Sequence, residues 1–204
     1  MRPVAASGER TPPGAHALDR LLAVPGRAGR VTHVEQLPAR LARCVEWPAW
    51  LDRKVVAAYL RLGIAAPWAH QVEAAELAYR GHCVVLASGT ASGKSLAYQL
   101  PVLHALVAPA ASEPPGLPRP LDPPTVLYLS PTKALAADQL RALHDLRLPQ
   151  VRAATYDGDT PHEERRWIRA HANLVLANPD LLHRSMLPGH RQWASFLRGL
   201  RSVV

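Results

Sequence analysis

A loop rich in glycine and serine carries the clearest chemical signal in the sequence. Its residues are Ala87, Ser88, Gly89, Thr90, Ala91, Ser92, Gly93, Lys94 and Ser95. It follows an apolar run and opens a helical pattern, which is the context of a phosphate-binding loop, because unpaired N–H groups at a helix start attract phosphate. Lys94 is predicted to contact the β- and γ-phosphates of a nucleotide, and the Ser95 hydroxyl to ligate Mg²⁺. Ser88 stands where the general pattern has its first glycine, which costs some backbone freedom.

Short apolar runs alternate with helical patterns after Gly81. The runs predict strands at residues 83–86, 126–129, 151–155 and 174–177, and the patterns between them predict helices at 94–107, 133–146 and 161–171. Further helical pieces are expected near 179–186 and 191–200, and a proline-rich surface loop at 109–124. Strand–helix alternation of this kind predicts an α/β fold with a parallel sheet and helices on both faces.

The first 63 residues differ in composition from the rest. Residues 1–38 are rich in proline, glycine, alanine and arginine, so we predict a partly disordered N-terminal arm with one short helix near 17–24. The spacing of apolar residues predicts helices near 47–62 and at 69–79. The domain built on the strand–helix alternation is predicted to span 64–204. Its final Val203-Val204 pair looks like the start of a buried strand, which suggests a truncated product.

Composition excludes several classes of protein. Hydrophobic residues make up 48% of the 204 residues, so a packed core is feasible, and no apolar run reaches the roughly 18 residues that span a membrane. The N-terminus lacks the apolar stretch of a secretory signal. Cys44 and Cys83 are too few for a disulfide scaffold or a zinc site, and the ten histidines show no metal-ligand spacing. The expected compartment is therefore the cytoplasm.

The formal net charge of +8 comes mostly from arginine, since only three of the 24 basic residues are lysine. Planar guanidinium groups suit phosphate partners such as nucleic acid. GC-rich coding explains the same excess equally well, so the charge alone assigns no function.

Three later segments repeat the arrangement in which polar residues follow a strand and open a helix or a turn. They are Ser130-Pro131-Thr132-Lys133, Tyr156-Asp157-Gly158-Asp159-Thr160 and Asn178-Pro179-Asp180. Taken singly, Thr132, Asp159 and Asn178 would serve as caps without any ligand. Taken together, after a phosphate-binding loop, the order of the segments carries more information than any one of them. Glu163 and Glu164 fit a helix start, where the dipole stabilises negative charge, better than a catalytic acid pair.

In this order the segments resemble the motifs of superfamily 2 helicases of the DEAD/DEAH-box type. Residues 88–95 are similar to motif I, although Ala91 stands at its usual second glycine. Residues 67–71 are similar to the Q motif, in which Gln71 would read the adenine edge with its amide donor and acceptor. The resemblance implies a RecA-like P-loop domain that binds ATP and Mg²⁺, with Ser95 at the metal. The ATP-binding residues that it implies are Gln71, Thr90, Ala91, Ser92, Gly93, Lys94 and Ser95.

Downstream, residues 130–139 are similar to motif Ia, 156–160 to the glycine turn between motifs Ia and Ib, and 177–183 to motif Ib. The nucleic-acid-binding residues that the resemblance implies are Pro131, Thr132, Lys133, Gly158, Asn178 and Pro179. The motifs are most similar to a bacterial subgroup of DNA helicases of three-prime-to-five-prime polarity that end in a cysteine-rich zinc-binding domain. Single-stranded or partly duplex DNA is therefore the expected partner, and RNA is less favoured.

The acidic motif and the second motor domain of the family are absent from these 204 residues. Because the acids bind Mg²⁺ and activate the attacking water, the resemblance implies no catalytic residue in this chain and hydrolysis only together with the remainder of the helicase. The predicted function is the ATP- and nucleic-acid-binding part of an ATP-dependent DNA helicase. Two alternatives stay open, a non-catalytic nucleotide- or single-strand-binding remnant and a small nucleotide kinase, although the proline-rich loop argues against a kinase lid.

Overall fold

The computed structural model describes residues 15–35, 43–89, 92–108 and 122–204. Its contacts divide the chain into two compact units, residues 1–41 and 42–204. The first unit contains helix α1 (Ala15–Leu22), near the short helix predicted at 17–24, and one turn of 3₁₀ helix (Ala28–Arg30). Residues 1–14 and 36–42 of the predicted arm, and residues 109–121 of the proline-rich loop, lie outside the described residues.

The second unit alternates helices and strands. Its helices are α2 (Arg53–Arg61), α3 (Ala69–Tyr79), α4 (Lys94–Val107), α5 (Lys133–Asp145), α6 (His162–His171), α7 (Pro179–Leu181) and α8 (Ala194–Arg198). Its strands are β1 (Thr125–Leu129), β2 (Ala153–Thr155), β3 (Leu174–Ala177) and β4 (Leu200–Val203). A π-helical turn (Leu182–Met186) and a 3₁₀ helix (His190–Trp193) complete it. None of the helices in the described ranges is long and apolar enough to cross a membrane.

The four strands form one parallel sheet in the order β2-β3-β1-β4. β1 pairs with β3 from Val126 opposite Leu174 to Leu129 opposite Ala177, and its other edge pairs with β4. All four residues of β3 are buried, which is typical of a parallel strand that is covered on both faces. The predicted α/β architecture is therefore confirmed.

Alternate residues of the central strands face opposite layers of helices, because side chains alternate across a strand. Val126, Leu174 and Leu176 join one apolar cluster with residues of α2, α4 and α5. Leu127 and Val175 join a second cluster with residues of α6 and α8. The sheet thus has helices on both faces, as predicted, and the loops after its parallel strands all lie at one edge.

Helix α2, which the sequence analysis placed in the N-terminal arm, packs in the core of the second unit. Val55 and Ala58 are fully buried, and Tyr59 is nearly so. The Tyr59 hydroxyl donates to Oε1 of Gln99 on α4 over 2.8 Å. The apolar stripe that predicted this helix therefore faces α4, and residues 53–61 help to form the core of the second unit.

The strand predicted at residues 83–86 is wrong. Residues 82–89 belong to no strand, and Val85 is 95% exposed. A cavity of about 560 Å³ is lined by this segment, by α4 and by residues 201–204 at β4. An apolar run favours burial, but a strand also needs a hydrogen-bonding neighbour, and none of the described strands pairs with this segment.

Candidate nucleotide and nucleic-acid sites

Gly93 is the residue on which the phosphate-binding loop turns into helix α4. It is the N-cap of α4 and has a φ of 67°, in the left-handed region that glycine adopts without steric cost. A Cβ at this position would also overlap the side-chain amide of Gln71. The backbone conformation therefore favours glycine here, and a larger residue would also displace the Gln71 amide. The helix begins at Lys94, as the motif predicts.

The Lys94 ammonium lies inside the loop that precedes it. Its Nζ donates to the carbonyl oxygens of Ser88 over 3.0 Å and of Gly89 over 2.7 Å, and Ser92 Oγ lies 3.4 Å away. Ser88 Oγ and Ser92 Oγ are 2.6 Å apart. The loop thus surrounds one positive charge with oxygen acceptors, which phosphate oxygens could replace. Of the predicted ATP-binding residues, Thr90 and Ala91 lie outside the described residues.

Gln71 is buried and uses both ends of its amide within the protein. Oε1 accepts from the backbone N–H of Trp68 over 2.8 Å, and Nε2 donates to the carbonyl oxygen of Gly93 over 2.8 Å. The first bond satisfies one of the unpaired N–H groups at the start of α3. The second joins that helix start to the N-cap of α4. The structure therefore brings Gln71 to the phosphate-binding loop. To pair with the Gln71 amide, an adenine would have to replace one of these two backbone groups as its partner.

His70 is a second contact between α3 and the loop, and the sequence analysis missed it. Its Nε2 lies 3.1 Å from the carbonyl oxygen of Ser92, and its ring lies 5.6 Å from that of Trp68. Its position directly before Gln71, at a helix start, is the signal that could have indicated it.

Ser95, the predicted Mg²⁺ ligand, lies in the first turn of α4 beside Tyr98. Burial, aided by the neighbouring Tyr128, raises the pKa of Tyr98, although a hydrogen bond with Ser95 acts in the opposite direction. Tyr98 therefore stays protonated and donates to Oε1 of Gln139 on α5. In the part of the chain that the structure describes, no group of three His, Cys, Asp or Glu residues could hold a metal ion. Mg²⁺ here would depend on Ser95 and on the phosphates of the nucleotide.

The predicted nucleic-acid-binding segments meet at the carboxyl edge of the sheet. They follow β1, β2 and β3, which are neighbours in the order β2-β3-β1. Thr132, Lys133, Tyr156, Asp157 and Asn178 line one shallow depression between the ends of these strands. Residues more than 40 positions apart in sequence thus form one surface, which we call the carboxyl-edge face.

Two side chains of the carboxyl-edge face act as helix caps, one of the roles that the sequence analysis weighed for them. Thr132 Oγ1 accepts from the N–H of Leu135 over 3.2 Å at the start of α5. Asn178 Oδ1 accepts from the N–H of Leu181 over 2.7 Å at the start of α7, where Pro179 is the first helical residue. Pro131 and Gly158 are exposed beside them. Capping directs these helix starts towards the carboxyl-edge face, where anions are favoured.

Lys133, the lysine of the carboxyl-edge face, forms an ion pair with Asp159. The hydrogen bond from Lys133 holds the pKa of Asp159 below its usual range, and the same contact raises the pKa of Lys133. Asp159 was weighed as a cap, but in the structure it is the counter-ion of Lys133.

Arg165 is the residue behind this face that the sequence analysis missed. Its guanidinium donates to the carbonyl oxygens of Asp157, Gly158 and Thr160. An arginine in the first turn of a helix that follows a tight turn can reach back to such carbonyls, and this spacing is the signal that could have indicated it.

Comparisons with known proteins give consistent results. Residues 68–204 match the family model described as DEAD/DEAH box helicase. The chain is 39% identical over 142 residues to the ATP-dependent helicase HRQ1 of Saccharomyces cerevisiae, covering 67% of this chain and 12% of that protein. It is 33% identical over 177 residues to the uncharacterized ATP-dependent helicase YprA of Bacillus subtilis, covering 85% and 22%.

Solved structures show the same likeness. The DUF1998 helicase MrfA bound to DNA and AMPPNP has a TM-score of 0.70 and 33% identity, covering 80% of this chain and 22% of that one. Helicase Lhr of Mycobacterium smegmatis bound to ssDNA and AMP-PNP has a TM-score of 0.61 and 25% identity, covering 76% and 20%. The chain thus spans between 12% and 22% of these four proteins. The RecA-like fold expected from the sequence is confirmed.

Proposed function

The chain belongs to the DEAD/DEAH box helicase family, and on that premise we propose that residues 64–204 are the ATP- and DNA-binding part of an ATP-dependent DNA helicase. The family uses ATP, and HRQ1 and YprA, to which the chain is similar, are ATP-dependent helicases. The observation that carries the proposal is the Lys94 ammonium at the start of α4, surrounded by the carbonyl oxygens of its loop. Residues 1–63 are proposed as a segment that precedes this part, and its helix α2 packs in the domain core. The low cysteine content favours the cytoplasm as the compartment.

In the proposed nucleotide site, the N–H groups of residues 90–93 and the Lys94 ammonium bind the β- and γ-phosphates. Ser95 contributes its hydroxyl to Mg²⁺, which would neutralise charge on the phosphates. Gln71 exchanges the Gly93 carbonyl for the adenine edge, so that base binding loosens the tie between α3 and the loop. Of the residues that the structure describes, Gln71, Ser92 and Lys94 all contact one another or the loop at the start of α4.

In the proposed DNA site, the carboxyl-edge face binds the sugar-phosphate backbone. Two relatives support the choice of DNA, since MrfA and Lhr were solved with DNA and with ssDNA. Lys133 supplies positive charge, and Thr132 and Asn178 cap helix starts whose N–H groups would bind the phosphates. The remaining predicted residues are exposed and leave room for the strand: Pro131, Gly158 and Pro179. Contacts of this kind carry no sequence information, so binding should be independent of base sequence. RNA is a less favoured partner.

Unwinding is proposed for the whole helicase and not for this segment alone. The acidic pair that the resemblance implies would follow a strand in the position of β4, and the second motor domain would follow that pair. ATP hydrolysis would need both, because the charge that develops on the transferred phosphoryl group must be neutralised from two sides.

The proposed nucleotide site is tested by comparing ligands that differ in their phosphates. The chain is titrated calorimetrically with AMPPNP and with AMP in the presence of Mg²⁺. Since the loop is proposed to bind the β- and γ-phosphates, which AMP lacks, AMPPNP should bind at least about tenfold more tightly than AMP. A difference of about tenfold corresponds to the loss of one charge-assisted hydrogen bond. Equal affinity for the two ligands would contradict the assignment of the loop.

A further inference from the structure

The tight turn at residues 157–160 is unusually well fixed for an exposed segment. Asp157 Oδ1 accepts from the N–H of Asp159 over 2.8 Å, and Thr160 Oγ1 accepts from the N–H of Asp157 over 2.9 Å. Arg165 then donates from Nε to the Thr160 carbonyl oxygen over 2.8 Å, and from Nη2 to those of Asp157 and Gly158 over 3.0 and 3.1 Å. One planar guanidinium thus holds three carbonyl groups of a four-residue turn.

Arg165 itself packs against a buried aromatic residue. Its guanidinium carbon lies 5.3 Å from the centre of the Tyr156 ring, a cation–π arrangement. Tyr156 is 2% exposed, and its ring packs edge-on against Trp193 at 4.9 Å. The position of the turn is therefore set by buried aromatic residues through Arg165.

The consequence is the location of Asp159. The turn carries this carboxylate to the Lys133 ammonium at the start of α5, and the two side chains are 83% and 52% exposed. An ammonium binds a carboxylate and a phosphate oxygen through the same contacts. A nucleic-acid phosphate that reaches Lys133 therefore meets a second anion, Asp159, at the same ammonium, and the two anions repel each other.

We propose that Asp159, held in place by the turn that Arg165 fixes, competes with nucleic-acid phosphate for Lys133 and lowers the affinity of the carboxyl-edge face. This inference rests on the proposed DNA site. Exposed ion pairs contribute little, so the competition should weaken binding by about two- to five-fold. Arg165 is a positioning residue in this scheme, since it acts through Asp159 and not on the phosphate.

The test measures binding of fluorescein-labelled oligothymidylate to the full chain by anisotropy at low salt. Asp159→Asn should bind about two- to five-fold more tightly than wild type. Asp122→Asn is the matched control, because it too removes one acidic charge from an ion pair, in this case with Arg198 at 2.6 Å. Asp122 precedes β1, and it lies at the opposite edge of the sheet from Lys133.

Double variants isolate the contact. Asp159→Asn should not raise the affinity for the oligonucleotide in a Lys133→Ala background, because the ammonium for which Asp159 competes is gone. Arg165→Ala should also tighten binding. The double variant with Asp159→Asn should bind no more tightly than Asp159→Asn alone, because Arg165 acts through Asp159. A purely structural role of Arg165 would instead weaken binding in both backgrounds. If Arg165→Ala fails to fold, the cycle between residues 133 and 159 remains decisive.

The outcomes separate the two hypotheses. Wild-type protein that shows no salt-dependent binding to the strand would contradict the proposed DNA site itself. If Lys133→Ala weakens binding while Asp159→Asn behaves like Asp122→Asn, the DNA site stands and the competition is refuted. A gain for Asp159→Asn that persists without Lys133 would show a general charge effect and also overturn the inference.

Discussion

The side-chain Nε2 of Gln71 donates to the carbonyl oxygen of Gly93 over 2.8 Å and thereby ties the start of α3 to the N-cap of α4. The same amide caps α3 through the N–H of Trp68. Gln71 is thus part of the structure of the phosphate-binding loop before any base is bound. Its effect on nucleotide affinity and its effect on stability should be linked.

The first prediction concerns Gln71→Ala. The substitution leaves the Trp68 N–H and the Gly93 carbonyl without their buried partner, so the free energy of unfolding without nucleotide should fall by about 1–3 kcal/mol. Urea unfolding measures this change. Gln192→Ala, at an exposed position, is the control and should change little. A side chain that only reads adenine would leave the stability of the nucleotide-free protein at the wild-type value.

The second prediction concerns Lys94→Ala. Loss of the ammonium should weaken binding of Mg²⁺–AMPPNP by at least about tenfold, because charge-assisted hydrogen bonds to phosphate are lost. Fluorescence titration with a labelled analogue measures the affinity. Lys54→Ala is the matched control, since Lys54 is an exposed lysine in the first turn of α2. Retained affinity in Lys94→Ala would remove this residue from the site.

The bounds of α3 and α4 and the position of Lys94 could be predicted because their signals are local. The apolar spacing fixes the helical patterns, and the glycine before Lys94 marks the N-cap. The partner of Gln71 lies 22 residues away, at Gly93, and sequence spacing alone gave no reason to join the two. The amide was therefore interpreted as a group available to adenine, although in the structure it holds two backbone groups.

The failed strand at residues 83–86 has the same kind of cause. Its apolar residues indicate burial, but pairing depends on which strands lie beside it, and this is a property of the tertiary fold. Conversely, β3 was predicted well because a run buried on both faces is apolar at every position. Arg165 was missed because its acceptors are carbonyl oxygens, which every residue has, so no residue type marks them.

The third prediction concerns Lys133→Ala and DNA binding. If Lys133 neutralises one phosphate, the variant should bind single strands of all sequences more weakly, and the slope of log affinity against log salt should fall by about one. Anisotropy measured at several salt concentrations gives the slope. Arg141→Ala is the control, because it removes an exposed positive charge from the same helix. Arg141 forms an ion pair with Asp138 over 3.0 Å. An unchanged slope in Lys133→Ala would exclude Lys133 from the DNA contact.

The fourth prediction separates the two requirements for glycine at position 93. Gly93→Ala places an L-residue at a φ of 67° and drives its Cβ into the Gln71 amide. The backbone alone should cost about 1–2 kcal/mol of unfolding free energy. Displacement of Gln71 adds the loss of its hydrogen bond to the Gly93 carbonyl. The variant should therefore lose both stability and affinity for Mg²⁺–AMPPNP.

Gly63→Ala is the control that isolates the second part of this cost. Gly63 has a φ of 82°, and a Cβ there meets nothing within 4 Å, so the variant carries the backbone cost without the overlap. Urea unfolding of both variants should show the larger loss in Gly93→Ala, and only that variant should bind the nucleotide less tightly. If the two lose equal stability, the Gln71–Gly93 contact contributes nothing measurable. Because Gly63 lies far from the loop in sequence, a loss of nucleotide binding in Gly63→Ala as well would mean that backbone strain disturbs the domain as a whole.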